Sequence, residues 1–191
     1  MNKTKRAIFE SALKIFSSNG YAGATMDDIA VNAGVAKGTL YYHFKSKEEI
    51  FNYIIAEGMN IIKDQIETAT SNEDSYINKL RVLCKVQLSL VYQNKDFFKV
   101  VMSQLWGQEL RQLQLRSVIR DYIKHIEDYL REAMSEGTVK KGNTSFMAYT
   151  FFGTLCSAAV YELINNEDNY KNNIDEVIDS LIQYILKGIE V

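Results

Sequence analysis

No proline occurs anywhere in this chain of 191 residues, and that absence constrains its fold more than any other feature. Proline removes a backbone donor and clashes with the preceding helical turn, so a chain without it keeps long helical runs free of their strongest breaker. Glycine is also sparse, at ten residues, while Ala, Leu, Ile, Lys and Glu are plentiful, which favours helices throughout. Apolar residues make up 47% and charged residues 24%, ordinary proportions for a folded globular protein. The expectation is an all-α fold.

Hydrophobic periodicity divides the chain into about nine helices and no strand. The first, over 4–18, places Ile8, Phe9, Ala12, Leu13 and Phe16 on one face and closes at Asn19-Gly20. Thr25 with Asp28 reads as a variant capping box opening a short helix through Met26, Ile29, Ala30 and Ala33, which Gly34 ends. A third helix carries Leu40 and Phe44 inward at i, i+4. Ser46-Lys47-Glu48-Glu49 is a second capping box, opening a long helix through Ile50, Phe51, Ile54, Ile55, Ile61, Ile62 and Ile66. Gly58 offers a place for that helix to soften. Further helices are expected over 76–92, 96–105, 109–134, with Gly137 as C-cap, then 144–164 and 174–189.

Charge and chemistry exclude several function classes. The first 50 residues hold seven Lys/Arg against five Asp/Glu, so the front carries +2 and the remainder −4 of the net −2. That asymmetry points the basic end toward an acidic partner. Cys84 and Cys156 stand alone, without the spacing of a zinc site or a disulfide framework, and fit a reducing cytoplasm. The N-terminus turns amphipathic instead of continuously apolar, unlike a secretory signal. The uncharged stretch 142–161 is broken by Asn143, Thr144, Ser145, Thr150, Thr154 and Ser157; a buried helix is expected there, not a membrane span. His43 and His125 are the only histidines, and neither a Gly-rich phosphate loop nor a nucleophile elbow is present, which argues against an enzyme. His125, with Glu127 and Asp128, lacks the several converging ligands of a metal site. No cofactor is implied.

Residues 25–47 have the parts of a helix-turn-helix: a small-residue turn, inward apolar anchors, and outward groups for phosphates and base edges. The stretch Gly20-Tyr21-Ala22-Gly23-Ala24-Thr25-Met26-Asp27-Asp28-Ile29-Ala30, followed by Ala33-Gly34-Val35-Ala36-Lys37-Gly38-Thr39-Leu40-Tyr41-Tyr42-His43-Phe44-Lys45-Ser46-Lys47, strongly resembles the tetracycline-repressor (TetR) family. The resemblance covers roughly the first 60 residues and implies a DNA-binding domain over 2–60 and an effector-binding and dimerisation domain over 61–191. It implies that the third helix enters the major groove, with Ala36, Lys37, Gly38, Thr39 and Tyr41 as groove contacts and Thr25, Tyr42, His43 and Lys47 at phosphate-contacting positions. The chemistry of these side chains suits those roles, since Lys supplies a cation and Thr, Tyr and His supply neutral donors. Tyr41 and Tyr42 can alternatively pack. Asp27 and Asp28 would repel phosphate if they faced DNA, but they suit the positive end of a helix dipole.

Beyond the head, Ile174, Val177, Ile178, Leu181, Ile182, Ile185, Leu186 and Ile189 form one wide apolar stripe. The preceding helix is apolar on nearly every side, from Phe146 through Phe151, Phe152, Leu155 and Val160, and is expected to be buried. The resemblance implies that these two helices pair with their copies in a homodimer, and hence that the operator is a palindrome of double-stranded DNA. Tyr92, Phe97, Phe98, Met102, Trp106, Tyr122, Tyr149, Phe152 and Tyr161 can line a cavity for an apolar or amphipathic effector or serve as ordinary core. Trp106, beside Gly107, is the favoured pocket residue. The expected function is a cytoplasmic repressor released from DNA by a small molecule; the alternative is a DNA-binding adaptor whose larger domain recruits a protein.

Overall fold

The structure is a computed structural model that describes residues 2–164, 179–180, 182–184 and 187–188. It is all-α. Among the described residues there are eight helices and no strand: α1 (Lys3–Gly23), α2 (Met26–Asn32), α3 (Lys37–His43), α4 (Lys47–Thr70), α5 (Tyr76–Gln93), α6 (Lys95–Gln104), α7 (Leu110–Ser135) and α8 (Thr144–Ile164). Helical residues recur at 179–180, 182–184 and 187. Most of the apolar run expected over 174–189 lies outside the described residues; within it Ile182 is buried and Tyr184 exposed.

The helix ends follow local chemistry. Asn2 caps α1 by accepting from the Lys5 N–H at 2.8 Å, and α1 breaks at Gly20 before a last irregular turn. Thr25 and Asp28 form the reciprocal capping box. At the end of α2 the Val35 N–H donates to the Ala30 carbonyl and the Gly34 N–H to Val31, both at 3.1 Å. That pair of bonds requires a left-handed residue, and Gly34 supplies it at φ +65°. The second capping box is shifted by one residue. The Glu49 N–H donates to Ser46 Oγ at 3.1 Å, but the Glu49 carboxylate accepts from the Lys45 N–H at 2.7 Å.

The chain forms two compact units. The first takes in the described residues of Met1–Asn60 with Asp96–Ser117, the second those of Ile61–Lys95 with Val118–Val191. Helices α4 and α7 therefore each begin in the first unit and continue into the second. In the first unit Ile8, Ala12, Phe16, Ile29, Leu40, Phe44, Ile50, Phe51 and Ile54 make the buried core. Each of the Ile, Leu and Phe side chains contributes on the order of 1.5–3 kcal/mol on leaving water. Ser11 Oγ donates to the Ile29 carbonyl at 2.8 Å and so ties α1 to α2.

Gly58 does not soften α4. A Cβ at Gly58 would lie 2.1–2.9 Å from the Phe97 ring, so the glycine is there to admit an aromatic ring from α6. Ser17 on α1 adds a hydrogen bond to Asp96, the second residue of α6, at 2.5 Å.

In the second unit α5 packs on α8, and Leu80, Leu83, Leu88, Ile126, Leu130, Ala148, Phe151 and Leu155 are buried. The expectation that α8 is buried on every side is corrected here. Ala148, Phe151, Leu155 and Ala158 face the core, while Phe146 (72% exposed), Tyr149, Val160, Tyr161 and Ile164 (74%) do not. Gly153 and Ser157 are exposed with them, completing a stripe at steps of three, four and one. An all-round apolar helix needs apolar neighbours on both faces, and a single copy of the described chain covers only one. No helix among the described residues is long and apolar enough to cross a membrane.

The fit at Gly58 predicts that Gly58→Ala costs about 1–3 kcal/mol through overpacking. Pairing it with Phe97→Leu, which shortens the opposing side chain, should recover part of the loss, as read by chemical denaturation.

Candidate nucleic-acid interface

Helix α3 is short, seven residues, and its inward anchors fix which way the others point. Leu40 is wholly buried and Phe44 nearly so, so the opposite face must meet solvent. Ala36, Lys37, Gly38, Tyr41 and Tyr42 are exposed there, with Thr39 and His43 half-buried. Neither tyrosine is a core residue: Tyr42 is 78% exposed and Tyr41 38%. The Tyr42 and His43 rings meet edge-on at 5.1 Å. Nothing covers Gly38, where an added Cβ would meet open space. The structure thus brings Ala36, Lys37, Gly38, Tyr41 and Tyr42 together as one surface carrying a cation, hydroxyls and a bare stretch of backbone, the parts needed to approach a groove.

Three of the expected contacts have other employment. Lys37 Nζ lies 2.7 Å from Asp27 Oδ1 and 2.9 Å from Asp27 Oδ2. That hydrogen bond and charge raise the Lys37 pKa above its ordinary value. Thr25 spends its donors on its own capping box. Its hydroxyl donates to Asp28 Oδ2 at 2.6 Å, its N–H reaches the same oxygen at 3.2 Å, and its Oγ1 accepts from the Asp28 N–H at 3.1 Å. The residue holds a helix start.

Lys47 is more heavily engaged. Its ammonium donates to the carbonyls of Tyr21 at 2.7 Å, Ala24 at 2.8 Å and Ala22 at 3.4 Å. An ammonium has three donors and no more, so this lysine is an internal staple across the broken end of α1. It also sits 4.6 Å from the Tyr21 ring, with the Arg111 guanidinium of α7 at 3.9 Å from the same ring. Burial, and then the Arg111 charge, pull Lys47 below its ordinary pKa. Arg111 and Tyr21 had no signal in the local pattern, because their partnership spans ninety positions of sequence. Asp27 had a weak one: a carboxylate and an ammonium flanking a turn between two short helices.

The aromatic candidates divide between the two units. Phe98, Met102 and Trp106 fall in the first, Tyr92, Tyr122 and Phe152 in the second. Trp106 departs from expectation, since at 83% exposure its ring encloses nothing. Its loop is firmly built nonetheless: Arg116 Nη1 donates to the Leu105 and Gly107 carbonyls at 2.9 and 2.7 Å, and Gln112 Nε2 to Trp106 at 3.1 Å. Phe98 and Met102 are half-buried. In the second unit Tyr122 donates to Gln87 Oε1 at 3.0 Å and meets the Phe152 ring edge-on at 6.1 Å. Burial pushes Tyr122 far above the ordinary phenol range, keeping it a neutral donor. Burial likewise raises Cys84 to about 12 and Cys156 to about 11; neither is a thiolate at neutral pH. No group of three or more metal-ligating side chains converges among the described residues.

If Lys47 is a staple, Lys47→Met should lower the stability of the protein by about 1–2 kcal/mol, the scale of lost hydrogen bonds from a charged donor. The melting curve should shift without DNA present, whereas a lysine serving only phosphate would leave it unmoved.

Comparison with known proteins agrees with this geometry. Residues 8–54 match the family model described as bacterial regulatory proteins, tetR family, and residues 55–188 match that of the YsiA-like protein C-terminal region. The chain is 25% identical over 185 residues to the fatty acid metabolism regulator protein of Bacillus subtilis, covering 95% of this chain and 93% of the other. Among solved structures it is similar to a Clostridium perfringens protein described as a candidate fatty acid metabolism regulator, at 46% identity, a TM-score of 0.88, and coverage of 97% and 99%. It shares its fold with Bacillus subtilis FadR in complex with stearoyl-CoA, at 22% identity, a TM-score of 0.85, and coverage of 97% and 99%. With an exposed recognition surface on α3, and with family models matching both the head and the rest of the chain, this protein belongs to the TetR family of DNA-binding transcription regulators.

Proposed function

We propose that the chain is a cytoplasmic, homodimeric repressor that binds a palindromic operator and releases it on binding an acyl-CoA thioester. Residues 2–60 form its DNA-binding domain, and residues 61–191 bind effector and dimerise. The observation that carries the reading is the two-sidedness of α3, anchored by Leu40 and Phe44 and exposed at Ala36, Lys37, Gly38, Tyr41 and Tyr42. Those five residues, with Thr39 and His43, are the proposed DNA contacts.

The dimer rests on α8. Its exposed stripe from Phe146 to Ile164 is apolar and lined with small residues at Gly153 and Ser157. A helix–helix interface buries such a face, and a two-fold axis sets two recognition helices about one DNA turn apart, roughly 34 Å.

The effector class is supported by the relatives. One is a fatty acid metabolism regulator, and a structure of the same fold holds stearoyl-CoA. The second unit adds a neutral tyrosine hydroxyl paired with Gln87 and flanked by Phe152, a polar feature in apolar surroundings suited to orienting a thioester. Tyr92, Tyr122 and Phe152 are the proposed contacts there. Release follows if the ligand prefers a conformation whose recognition helices miss adjacent grooves; such coupling is typically 5–150-fold. This is regulatory binding, with no catalytic step.

Selection of genomic fragments with purified protein at about 0.15 M salt, which suppresses non-specific charge binding, should enrich a palindrome. Lys37→Ala and Tyr41→Ala should each weaken the selected duplex roughly tenfold or more with the dimer intact. Stearoyl-CoA should then weaken operator binding and free CoA should not. Retention of the operator in stearoyl-CoA would favour the adaptor reading. Phe146→Glu combined with Ile164→Glu should give a monomer by light scattering and lose the operator.

A further inference from the structure

The Asp27–Lys37 pair joins the first turn of α2 to the first residue of α3, across the turn closed by Gly34. Both side chains are about 60% exposed, so burial does not force them together. Lysine on a four-carbon stem is normally a mobile point charge that binds phosphate wherever it finds it. Here both carboxylate oxygens are within 2.9 Å of Nζ, which occupies up to two of its three donors and leaves at least one pointing elsewhere.

Placement makes the arrangement more than a surface ion pair. Helix α3 has no side-chain N-cap and no acid in its own first turn, so the carboxylate that steadies its leading lysine comes from α2. Asp28, the neighbouring acid, is committed to the Thr25 capping box. Asp27 makes no such bond; its hydrogen bond runs to Lys37. The two cations that follow α3 are differently engaged: Lys45 Nζ donates to the Tyr41 carbonyl at 2.8 Å, and Lys47 is the staple. Lys37 is the cation on the exposed face of α3, and its charge is balanced within the protein.

We propose that Asp27 is a specificity-determining residue: it restrains Lys37 as a held donor aimed at base edges and withholds it from the phosphate backbone. The cost is non-specific affinity, and the gain is discrimination. A restrained ammonium neutralised by its own carboxylate adds little to counterion release, whereas a freed one adds about 0.9 to the slope of log affinity against log salt for each phosphate it engages. The proposal rests on the placement of α3 against DNA.

The test uses the full-length dimer with two probes, a duplex recovered by selection and a scrambled duplex of the same length and composition. Salt titrations are run for the unsubstituted protein, Asp27→Asn, Lys37→Met and the double variant. Asp27→Asn should bind the scrambled duplex several-fold more tightly, steepen its salt slope by about one, and narrow the gap to the selected duplex. In the Lys37→Met background, Asp27→Asn should change little, and Asp27→Glu should retain most of the discrimination. Equal effects of Asp27→Asn with and without Lys37 would show only the general loss of a negative charge and overturn the proposal. Lys37→Met that leaves both duplexes unaffected would overturn the placement of α3 itself, and the proposal with it. Melting curves of each variant in the absence of DNA separate these outcomes from a folding defect; a discrimination loss that follows the melting temperature in place of the charge pattern also overturns it.

Discussion

One lysine ties the broken end of α1 to the start of α4. Helix α1 breaks at Gly20, and its last turn leaves the carbonyls of Tyr21, Ala22 and Ala24 without the continuation that would satisfy them. Lys47, at the start of α4, takes all three. Orphan carbonyls at a helix end must find donors, and a cation also suits the negative end of the helix. The clamp fixes the start of α2 relative to α4. Because α2 and α3 pack as one hairpin around Ile29 and Leu40, it fixes α3 as well. Arg111 stacks on the other partner in this cluster, the Tyr21 ring, so a residue of α7 buttresses the same turn.

Charge on the head is therefore organised in two layers. Lys47 and Arg111 face inward and hold the scaffold, while Lys37 faces outward beside Asp27. The first layer holds the α2–α3 hairpin in place, and the second lies on its exposed face. The modest +2 of the first fifty residues is smaller still at the surface, once the cations committed internally are discounted. The exposed face of α3 is correspondingly polar more than charged, with the Tyr41 and Tyr42 hydroxyls beside a single lysine.

Helix positions were legible because each carries a strong 3.6-residue pattern and a local end signal. The runs expected over 76–92, 96–105, 109–134 and 144–164 lie within a residue of α5, α6, α7 and α8. The inward anchors Leu40 and Phe44 were legible for the same reason. Long-range partnership was not. Nothing near Lys47 announces the carbonyls of 21–24, nothing near Gly58 announces the Phe97 ring, and an exposed Trp106 has the same composition as a buried one. Periodicity also marks α8 as apolar all round without saying which of its faces the single chain covers.

The Tyr21 cluster gathers the starts of the two long helices. Helices α4 and α7 each start among the residues of the first unit and run on into the second, and both carry residues of the Tyr21 cluster at their starts, Lys47 and Arg111. A helix transmits displacement along its axis because its backbone hydrogen bonds resist local stretching. Tyr21 lies against both cations, 4.6 Å from one and 3.9 Å from the other, so relative motion of α4 and α7 must either move the turn that carries α2 or break the stack. Packed side chains favour discrete arrangements over continuous deformation. The turn that orients α3 thus rests on the first residue of one long helix, Lys47, and the second of the other, Arg111.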